Sequence, residues 1–203
     1  MTSPFVRRAA AVFATLTLLS LIVMAQSLVP DDTLATEPIA YSGEIGEPVD
    51  AERFTVRVER VRIAETAVDE DGLGSSGPIE AKGVWLVATA EITSATAPLL
   101  HIDAALVMGD GYVYSANRWL SNDMAGGTGT TLDPGIPVTG ALAFEVPKKR
   151  LKDPTLQVSA RQSIDGRLSA RADVDLGLSG SELDRRLAQP EDRVVVPSPT
   201  ETS

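Results

Sequence analysis

Cysteine is absent from this chain of 203 residues, and histidine occurs once, at His101. Without cysteine there is no disulfide framework, no thiol nucleophile and no cysteine-containing metal site. A lipid anchor of the bacterial lipoprotein kind is excluded as well, because that attachment requires a cysteine. The fold must therefore rest on its apolar core alone.

Basic charge is scarce relative to acidic charge. The chain has 28 Asp and Glu against 18 Lys and Arg, which gives a formal net charge of −10, and every acidic residue follows Pro30. A surface of this sign repels nucleic acid and anionic lipid headgroups. We therefore expect no nucleic-acid partner.

An uncharged stretch near the N-terminus, residues 9–29, contrasts with the rest of the chain. A helix that rises about 1.5 Å per residue crosses the hydrocarbon with roughly 20 residues, so this stretch is long enough. Arg8 precedes it and Asp31 follows it, which predicts a cytoplasmic N-terminus and an extracytoplasmic remainder. The alternative is a signal peptide cleaved after Ala25, but the uncharged stretch continues past Ala25 and favours a retained signal anchor.

The composition of the remaining segments predicts how the exported part is organised. We expect residues 1–8 in the cytoplasm, a signal-anchor helix over 9–29, an extracytoplasmic linker over 30–52, a β-sandwich over 53–178, and a short helix with a disordered tail over 179–203. The helix is predicted over residues 181–188, with Ser181 as its cap and Pro190 as its stop. Prolines, hydroxyl residues and acids in residues 189–203 indicate disorder.

Apolar residues alternate with polar ones through most of the chain between residues 84 and 176. Side chains alternate across a strand, so this parity predicts antiparallel strands with one face on a core and the other in water. Turn signals separate the strands, as at Gly109-Asp110-Gly111 and Pro134-Gly135. The alternating segments are residues 84–92, 100–108, 138–146, 156–160 and 168–176. This pattern predicts an all-β sandwich of about seven or eight strands.

The parity of the apolar residues changes once, within residues 54–63, from even to odd. A slip of one residue would turn half of that strand outward. We therefore predict a β-bulge near Glu59 and Arg60.

Three segments resemble a known family. They are GVWLVATAEIT at residues 83–93, LDPG at 132–135 and GALAFEVP at 140–147. Their order resembles the telokin-like, immunoglobulin-like extracellular domains of unknown function on Gram-positive and actinobacterial cells, a superfamily that includes a mycobacterial immunoprotective secreted antigen. The resemblance covers residues 53–176. It implies an immunoglobulin-like antiparallel β-sandwich on an exported protein and no catalytic residues.

Candidates for catalysis centre on the single histidine. His101 and Asp103 fall on the same face of a strand, as two members of a Ser-His-Asp triad could. No nucleophile elbow or other serine motif accompanies them. We therefore expect a solvated histidine on the sheet surface and no enzymatic activity.

Carboxylates cluster in one loop, at Glu65, Asp69, Glu70 and Asp71. Calcium requires hard oxygen ligands of this kind, but the order of residues does not match an EF-hand. A solvated acidic loop is the default interpretation, without a cofactor. A calcium- or ligand-binding exported protein that uses this loop is the alternative function.

Aromatic and apolar residues also occur where a core would not need them. Trp85 and Val87 fall on the strand face opposite Leu86, so either another segment covers them or they form a patch for a partner. Together with Trp119 they are the candidate interaction surface. The sequence thus predicts a single-pass membrane protein whose extracytoplasmic domain is a non-enzymatic interaction or structural module, with an envelope protein or polymer as partner.

Overall fold

The computed structural model describes residues 8, 13–21, 24, 38–70, 77–126, 131–160 and 170–202. The chain divides into two units, Met1–Glu37 and Pro38–Ser203. In the first unit residues 13–21 are helical and exposed, and none of the helices formed by the described residues is both long and apolar enough to span a bilayer. Apart from Met24, the remainder of the predicted span over residues 9–29 lies outside the described residues.

The second unit consists of strands, one short α-helix and a 3-10 helix at Lys148–Arg150 within its described residues. The strands are β1 (Ile39–Glu44), β2 (Pro48–Asp50), β3 (Phe54–Asp69), β4 (Ile79–Ser94), β5 (Ile102–Val107), β6 (Val113–Ser115), β7 (Pro137–Val146), β8 (Thr155–Ala160), β9 (Ala170–Asp175), β10 (Glu191–Val196) and β11 (Thr200–Glu201). Sheet A has the order β1-β9-β8-β5-β6. Sheet B has the order β10-β3-β4-β7-β11, with β2 paired to β3.

One apolar core lies between the two sheets. Leu86 of β4 is in register with Phe144 of β7, and Leu106 of β5 with Leu156 of β8; all four side chains are fully buried in this core. Their neighbours in sheet A, such as Gln157, remain half-buried on the opposite face. The predicted β-sandwich is confirmed, because the alternation of apolar and polar residues produces the two-faced strands that it requires. The described residues form eleven strands rather than the seven or eight predicted, because β1, β2, β10 and β11 lie in segments predicted as linker or tail.

The predicted β-bulge is present in β3. The pairing of β3 with β4 shifts between Val58 and Arg60, so Glu59 lacks a partner in the register. Val58 before the shift and Val61 after it are both buried. The extra residue therefore keeps the apolar side chains on the core side although their parity changes. A second shift, between Ala64 and Thr66, was not indicated by the sequence.

Two strand pairs run parallel, which corrects the antiparallel prediction for those pairs. β1 pairs with β9 and β10 pairs with β3, both in parallel. A tight hairpin can join only antiparallel neighbours, whereas these partners lie far apart in the chain. β1 and β2 also occupy residues 39–50 of the segment predicted as a linker, so the folded unit begins earlier than residue 53.

The prediction of a disordered tail is wrong for β10 and β11. Val194 and Val196 of β10 are buried beside β3, and β11 pairs with β7. Nε of Arg62 donates to Oε1 of Glu191 at 2.9 Å, which joins the start of β10 to β3. Burial of these valines outweighs the local tendency of the proline-rich sequence towards disorder.

The predicted helix is present as α1, Gly180–Ala188. Its N-cap is Ser179 rather than the predicted Ser181. Leu183 is buried against the main core, and Nη1 of Arg186 donates to the carbonyl oxygen of Val61 at 3.1 Å. The helix therefore packs on the main core through Leu183, with Leu187 partly buried beside it.

The predicted core face fails at Leu100. This residue precedes β5 and is 61% exposed, whereas Leu99 is buried and exchanges backbone hydrogen bonds with Leu132. Regular alternation therefore begins only with β5. Leu168, which belongs to another predicted strand, lies outside the described residues.

Candidate functional site

The loop after β6 is attached to the edge of β7. The backbone N–H of Asn117 donates to the carbonyl oxygen of Ala143 at 2.8 Å, and the N–H of Met124 donates to that of Ala141 at 3.0 Å. Oδ2 of Asp123 accepts the N–H of Ala143 at 2.8 Å. The loop thus satisfies backbone groups of β7 that would otherwise form an open sheet edge.

The carboxylate of Asp123 also organises its own loop. Oδ1 accepts the N–H groups of Ala125 at 2.8 Å and Gly126 at 3.0 Å. Burial raises the pKa of Asp123 from 3.8 to about 6, although its three backbone hydrogen bonds act in the opposite direction. The nearby carboxylate of Asp69 raises this pKa further. Asp123 is therefore a structural acid whose charge is costly at this position.

The four carboxylates considered as calcium ligands have separate partners where they are described. Asp69 is buried and accepts the N–H groups of Ser121 at 2.8 Å and Asn122 at 3.1 Å. Glu70 accepts the N–H of Ser198 at 3.3 Å, and Glu65 pairs with Nζ of Lys148 at 3.3 Å; Asp71 lies outside the described residues. Within the part of the chain that the structure describes, no three acidic or histidine side chains converge as metal ligands. The carboxylate of Asp69 instead holds the Ser121–Asn122 turn to the end of β3.

Trp85 and Val87 are covered, which corrects their assignment to an exposed interaction surface. Both are buried, and the indole Nε1 of Trp85 donates to the carbonyl oxygen of Ile79 at 2.9 Å. They belong to a second apolar cluster on the outer face of sheet B, which includes Leu120 and Val194. The loop after β6 and strand β10 therefore complete the burial of this face, and a partner cannot contact Trp85 or Val87 there.

Trp119 alone of the predicted interaction surface is exposed, at 73%. Its backbone N–H donates to Oδ1 of Asn117 at 2.7 Å, and the following residue, Leu120, is buried in the second apolar cluster. The indole therefore projects from a segment that is held on both sides. An exposed tryptophan on a fixed backbone presents a large contact surface at a small entropic cost.

Two adjoining depressions flank this segment, and we refer to them together as the Trp119 groove. They share Ser115, Ala116 and Arg118. One, of about 330 Å³, extends over the polar face of sheet A. The other, of about 480 Å³, extends along β6 to Trp119. Both volumes fall in the range of about 300–1,000 Å³ that is usual for small-molecule sites.

The polar side chains of the first depression come from separate elements. Nε and Nη2 of Arg171 in β9 donate to the two carboxylate oxygens of Asp173 at 2.7 and 2.9 Å, and Nε2 of Gln157 donates to the same carboxylate at 3.4 Å. These bonds fix the orientation of Arg171 and Gln157. The depression is also lined by Asp103, Ser115, Arg118 and Ser159. The lining therefore includes both hydrogen-bond donors and acceptors.

The second depression combines aromatic and polar groups. Tyr114, Asn117 and Glu145 line it beside Trp119. Oε1 of Glu145 accepts the backbone N–H of Lys82 at 2.8 Å, which ties this carboxylate to β4. An apolar ring surface bordered by fixed polar groups is typical of a binding site for an amphipathic ligand.

His101 precedes β5 and is exposed, and it lines neither depression. Asp103 is half-buried within β5 and lines the first depression. The sequence therefore indicated two residues of the groove, Trp119 as a candidate interaction residue and Asp103 as a member of a possible triad. Arg118, Gln157 and Arg171 were missed, because only the pairing of β5, β6, β8 and β9 brings them together. The signal available in the sequence was the Asn117-Arg118-Trp119 run.

No protein-family model and no curated protein sequence matches this chain. Among solved structures it is similar to an uncharacterized beta-sandwich protein from Clostridium difficile 630, at 15% identity and a TM-score of 0.43 over 68% of this chain and 95% of that one. It is also similar to the yjhA protein from Bacillus subtilis, at 18% identity and a TM-score of 0.46 over 65% and 99%. A third match is MPT63, a secreted protein from Mycobacterium tuberculosis, at 18% identity and a TM-score of 0.42 over 68% and 98%.

The described residues of the second unit form a β-sandwich. The loop after β6 and strand β10 cover the second apolar cluster on the outer face of sheet B. The Trp119 groove lies beside β6, at an edge of sheet A. The function proposed below rests on these residues.

Proposed function

We propose that this chain is a non-enzymatic binding module of the cell envelope, with the Trp119 groove as its binding surface. The observation that carries the proposal is the 73% exposure of Trp119 on a segment whose neighbours are fixed by hydrogen bonds and burial. Tryptophan is enriched among the residues that dominate binding energy. The exposed indole also offers apolar surface whose burial by a ligand is favourable.

The location outside the cytoplasm belongs to the same proposal. Residues 9–29 would act as a signal anchor, with Arg8 on the cytoplasmic side and the folded unit on the other. The resemblance of residues 53–176 to exported immunoglobulin-like domains supports this location. The partner would be an envelope polymer or protein that reaches the groove from outside the membrane.

The location is tested by fractionating cells that express the full chain with a C-terminal epitope. We expect the epitope in the membrane fraction, at the mass of the uncleaved chain, and accessible to protease in intact spheroplasts. A product that is shortened by residues 1–25 and released to the medium would overturn the anchor and leave the binding module in place. An epitope protected from protease would overturn the extracytoplasmic location.

The binding surface is tested by co-sedimentation of the detergent-solubilised full chain with purified insoluble envelope material. We expect the wild type to sediment with it and Trp119→Ala to lose about tenfold in affinity. Leu100→Ala is the control, because Leu100 is also a large exposed side chain, at 61%, but lies outside the groove. Equal sedimentation of all three proteins would remove the groove from the proposal.

A further inference from the structure

We propose that the Trp119 groove binds a neutral saccharide, with a sugar ring stacked on the indole of Trp119 and sugar hydroxyl groups bound by Arg118, Gln157 and Asp103. This inference rests on the proposed function and names the class of ligand. A saccharide presents both apolar C–H faces and many hydroxyl groups. The groove offers the complement of each, an exposed aromatic ring and a row of fixed donors and acceptors.

The balance of charge in the groove favours a neutral ligand over an anionic one. Arg118 and Arg171 are its cations and Asp103 and Glu145 its acids, so opposite charges are present in equal number among the described lining residues. Arg171 is further occupied by its bidentate pair with Asp173. The whole chain carries a net charge of −10, which repels a polyanion at long range. An anionic glycan would therefore be repelled by the net negative charge as it approaches. In the groove, Arg118 would be the arginine that attracts it, because Arg171 is bonded to Asp173.

The polar groups suit hydroxyl groups because they include both donors and acceptors. A hydroxyl donates one hydrogen bond and accepts others, so it is best satisfied between a carboxylate and an amide or guanidinium. Asp103 and Gln157 supply this combination on adjacent strands of sheet A, since Asp103 is paired with Ser159 and lies near Gln157 in the register. Both side chains are half-buried and belong to regular strands, so the donors and acceptors are held in place before the ligand arrives.

The shape of the groove sets the size of the ligand. The two depressions, of about 330 and 480 Å³, meet at Ser115, Ala116 and Arg118. Two of these three side chains, Ser115 and Ala116, are small. The groove therefore suits a short run of linked sugar rings rather than a single ring.

The experiment measures acrylamide quenching of tryptophan fluorescence in the full-length chain. The chain contains two tryptophans, of which Trp85 is fully buried and Trp119 is 73% exposed, so quenching reports on Trp119. The probes are neutral tetrasaccharides of glucose, galactose and N-acetylglucosamine. Tetragalacturonate, which differs from the galactose tetramer by its carboxylates, is the acidic probe. We expect at least one neutral tetramer to protect Trp119 at millimolar concentration, and the acidic tetramer to protect it less than its neutral counterpart.

Variants separate the roles of the groove residues when binding of the protective tetramer is measured by calorimetry. Trp119→Ala should weaken binding by about tenfold or more. Arg118→Ala and Gln157→Ala should each weaken it by about three- to tenfold, as the loss of one hydrogen bond predicts. Arg193→Ala is the control, because Arg193 is an exposed arginine on β10, outside the groove. All four positions are exposed or half-buried, and an unchanged midpoint of urea unfolding establishes that each variant is folded.

Three results would overturn the inference. They are the absence of protection by every neutral tetramer, stronger protection by tetragalacturonate than by the galactose tetramer, and equal affinities of Arg118→Ala and Arg193→Ala. In each case, Trp119-dependent sedimentation with envelope material would leave the proposed function standing with a different ligand. Loss of that dependence would instead remove the proposed function itself.

Discussion

Oδ2 of Asp123 accepts the backbone N–H of Ala143 at 2.8 Å, across 20 positions of sequence, inside the protein. In a wider sheet a carbonyl group of the next strand would accept this bond. Here a side chain does so, and its second oxygen bonds to Ala125 and Gly126 in the loop that carries Trp119. One carboxylate therefore links the edge of sheet B to the segment that presents the candidate binding surface.

Substitution of Asp123 by Ala should lower the free energy of unfolding by about 2–4 kcal/mol, because one buried and two partly buried backbone N–H groups lose their acceptor. Removal of a costly buried charge offsets part of this loss, which keeps the figure below the sum of three unsatisfied donors. Urea unfolding of the full chain, followed by tryptophan fluorescence, measures the change as a lower midpoint with an unchanged slope.

The control for this substitution is Asp192→Ala, since Asp192 is an exposed aspartate on β10. Its free energy of unfolding should stay within about 0.5 kcal/mol of the wild type. If both variants unfold at the same urea concentration, Asp123 has no structural role of the kind described.

The stability should also depend on pH through Asp123. Burial raises its folded-state pKa to about 6, above the ordinary value of 3.8, so the folded state binds this proton more tightly than the unfolded chain. The stabilisation that the proton confers is complete below pH about 4 and is lost as the pH rises through about 6. Between pH 7 and pH 5, the free energy of unfolding of the wild type should therefore rise relative to that of Asp123→Asn.

Asp123→Asn is suitable for this comparison because its amide does not titrate. Relief of the general negative charge at lower pH stabilises both proteins alike and cancels in the difference. Asp69, the acid that contributes to the raised pKa, remains in both. A difference between the two proteins that is constant from pH 4 to pH 8 would contradict the raised pKa.

The strands of the sandwich could be predicted because their information is local. Leu86, Leu106 and Phe144 each lie in a segment whose alternation of apolar and polar residues repeats over several positions, and the same rule located the bulge at Glu59. Only the two-residue period of a strand is needed for this step. The direction of strand pairing could not be predicted by this rule, because the parallel neighbours β1 and β9 come from distant parts of the chain.

The tail and the groove could not be predicted by the same rule. Acids and prolines flank Val194 and Val196 in the sequence, so the local composition indicates disorder. The burial of these valines depends instead on contact with Trp85 and its neighbours in sheet B. Arg118 and Arg171 lie in different elements and approach one depression only through sheet A. The covering of Trp85 and the composition of the groove thus depend on tertiary contacts that no single segment contains.

The docking of the tail can be tested by comparing three consecutive valines. Val194 and Val196 are buried, whereas Val195 between them is 44% exposed. Val194→Ala and Val196→Ala should each lower the free energy of unfolding by about 1.5–3 kcal/mol, through lost apolar burial and a residual cavity. Val195→Ala should change it by less than about 0.5 kcal/mol. Equal effects at all three positions would mean that β10 does not bury alternate side chains.

Gly126 offers a way to move the loop without touching a polar group of the groove. A Cβ atom at this position would lie 1.8 Å from the carbonyl oxygen of Asn117, which is backbone and cannot rotate away. The N–H of Asn117 is bound to Ala143, and its side chain holds the backbone of Trp119. Gly126→Ala must therefore separate Gly126 from Asn117, the residue whose side chain holds the backbone of Trp119.

We expect Gly126→Ala to lower the free energy of unfolding by about 1–3 kcal/mol, as overpacking does in other proteins, and to reduce co-sedimentation with envelope material by about tenfold. Gly109→Ala is the control, because the nearest atom to its added Cβ is the Cβ of exposed Asp153 at 3.1 Å, a contact that a shift of about a few tenths of an ångström relieves. This variant should keep both stability and sedimentation close to the wild type. If Gly126→Ala is destabilised but sediments as the wild type does, envelope binding does not depend on the packing of Gly126 against Asn117.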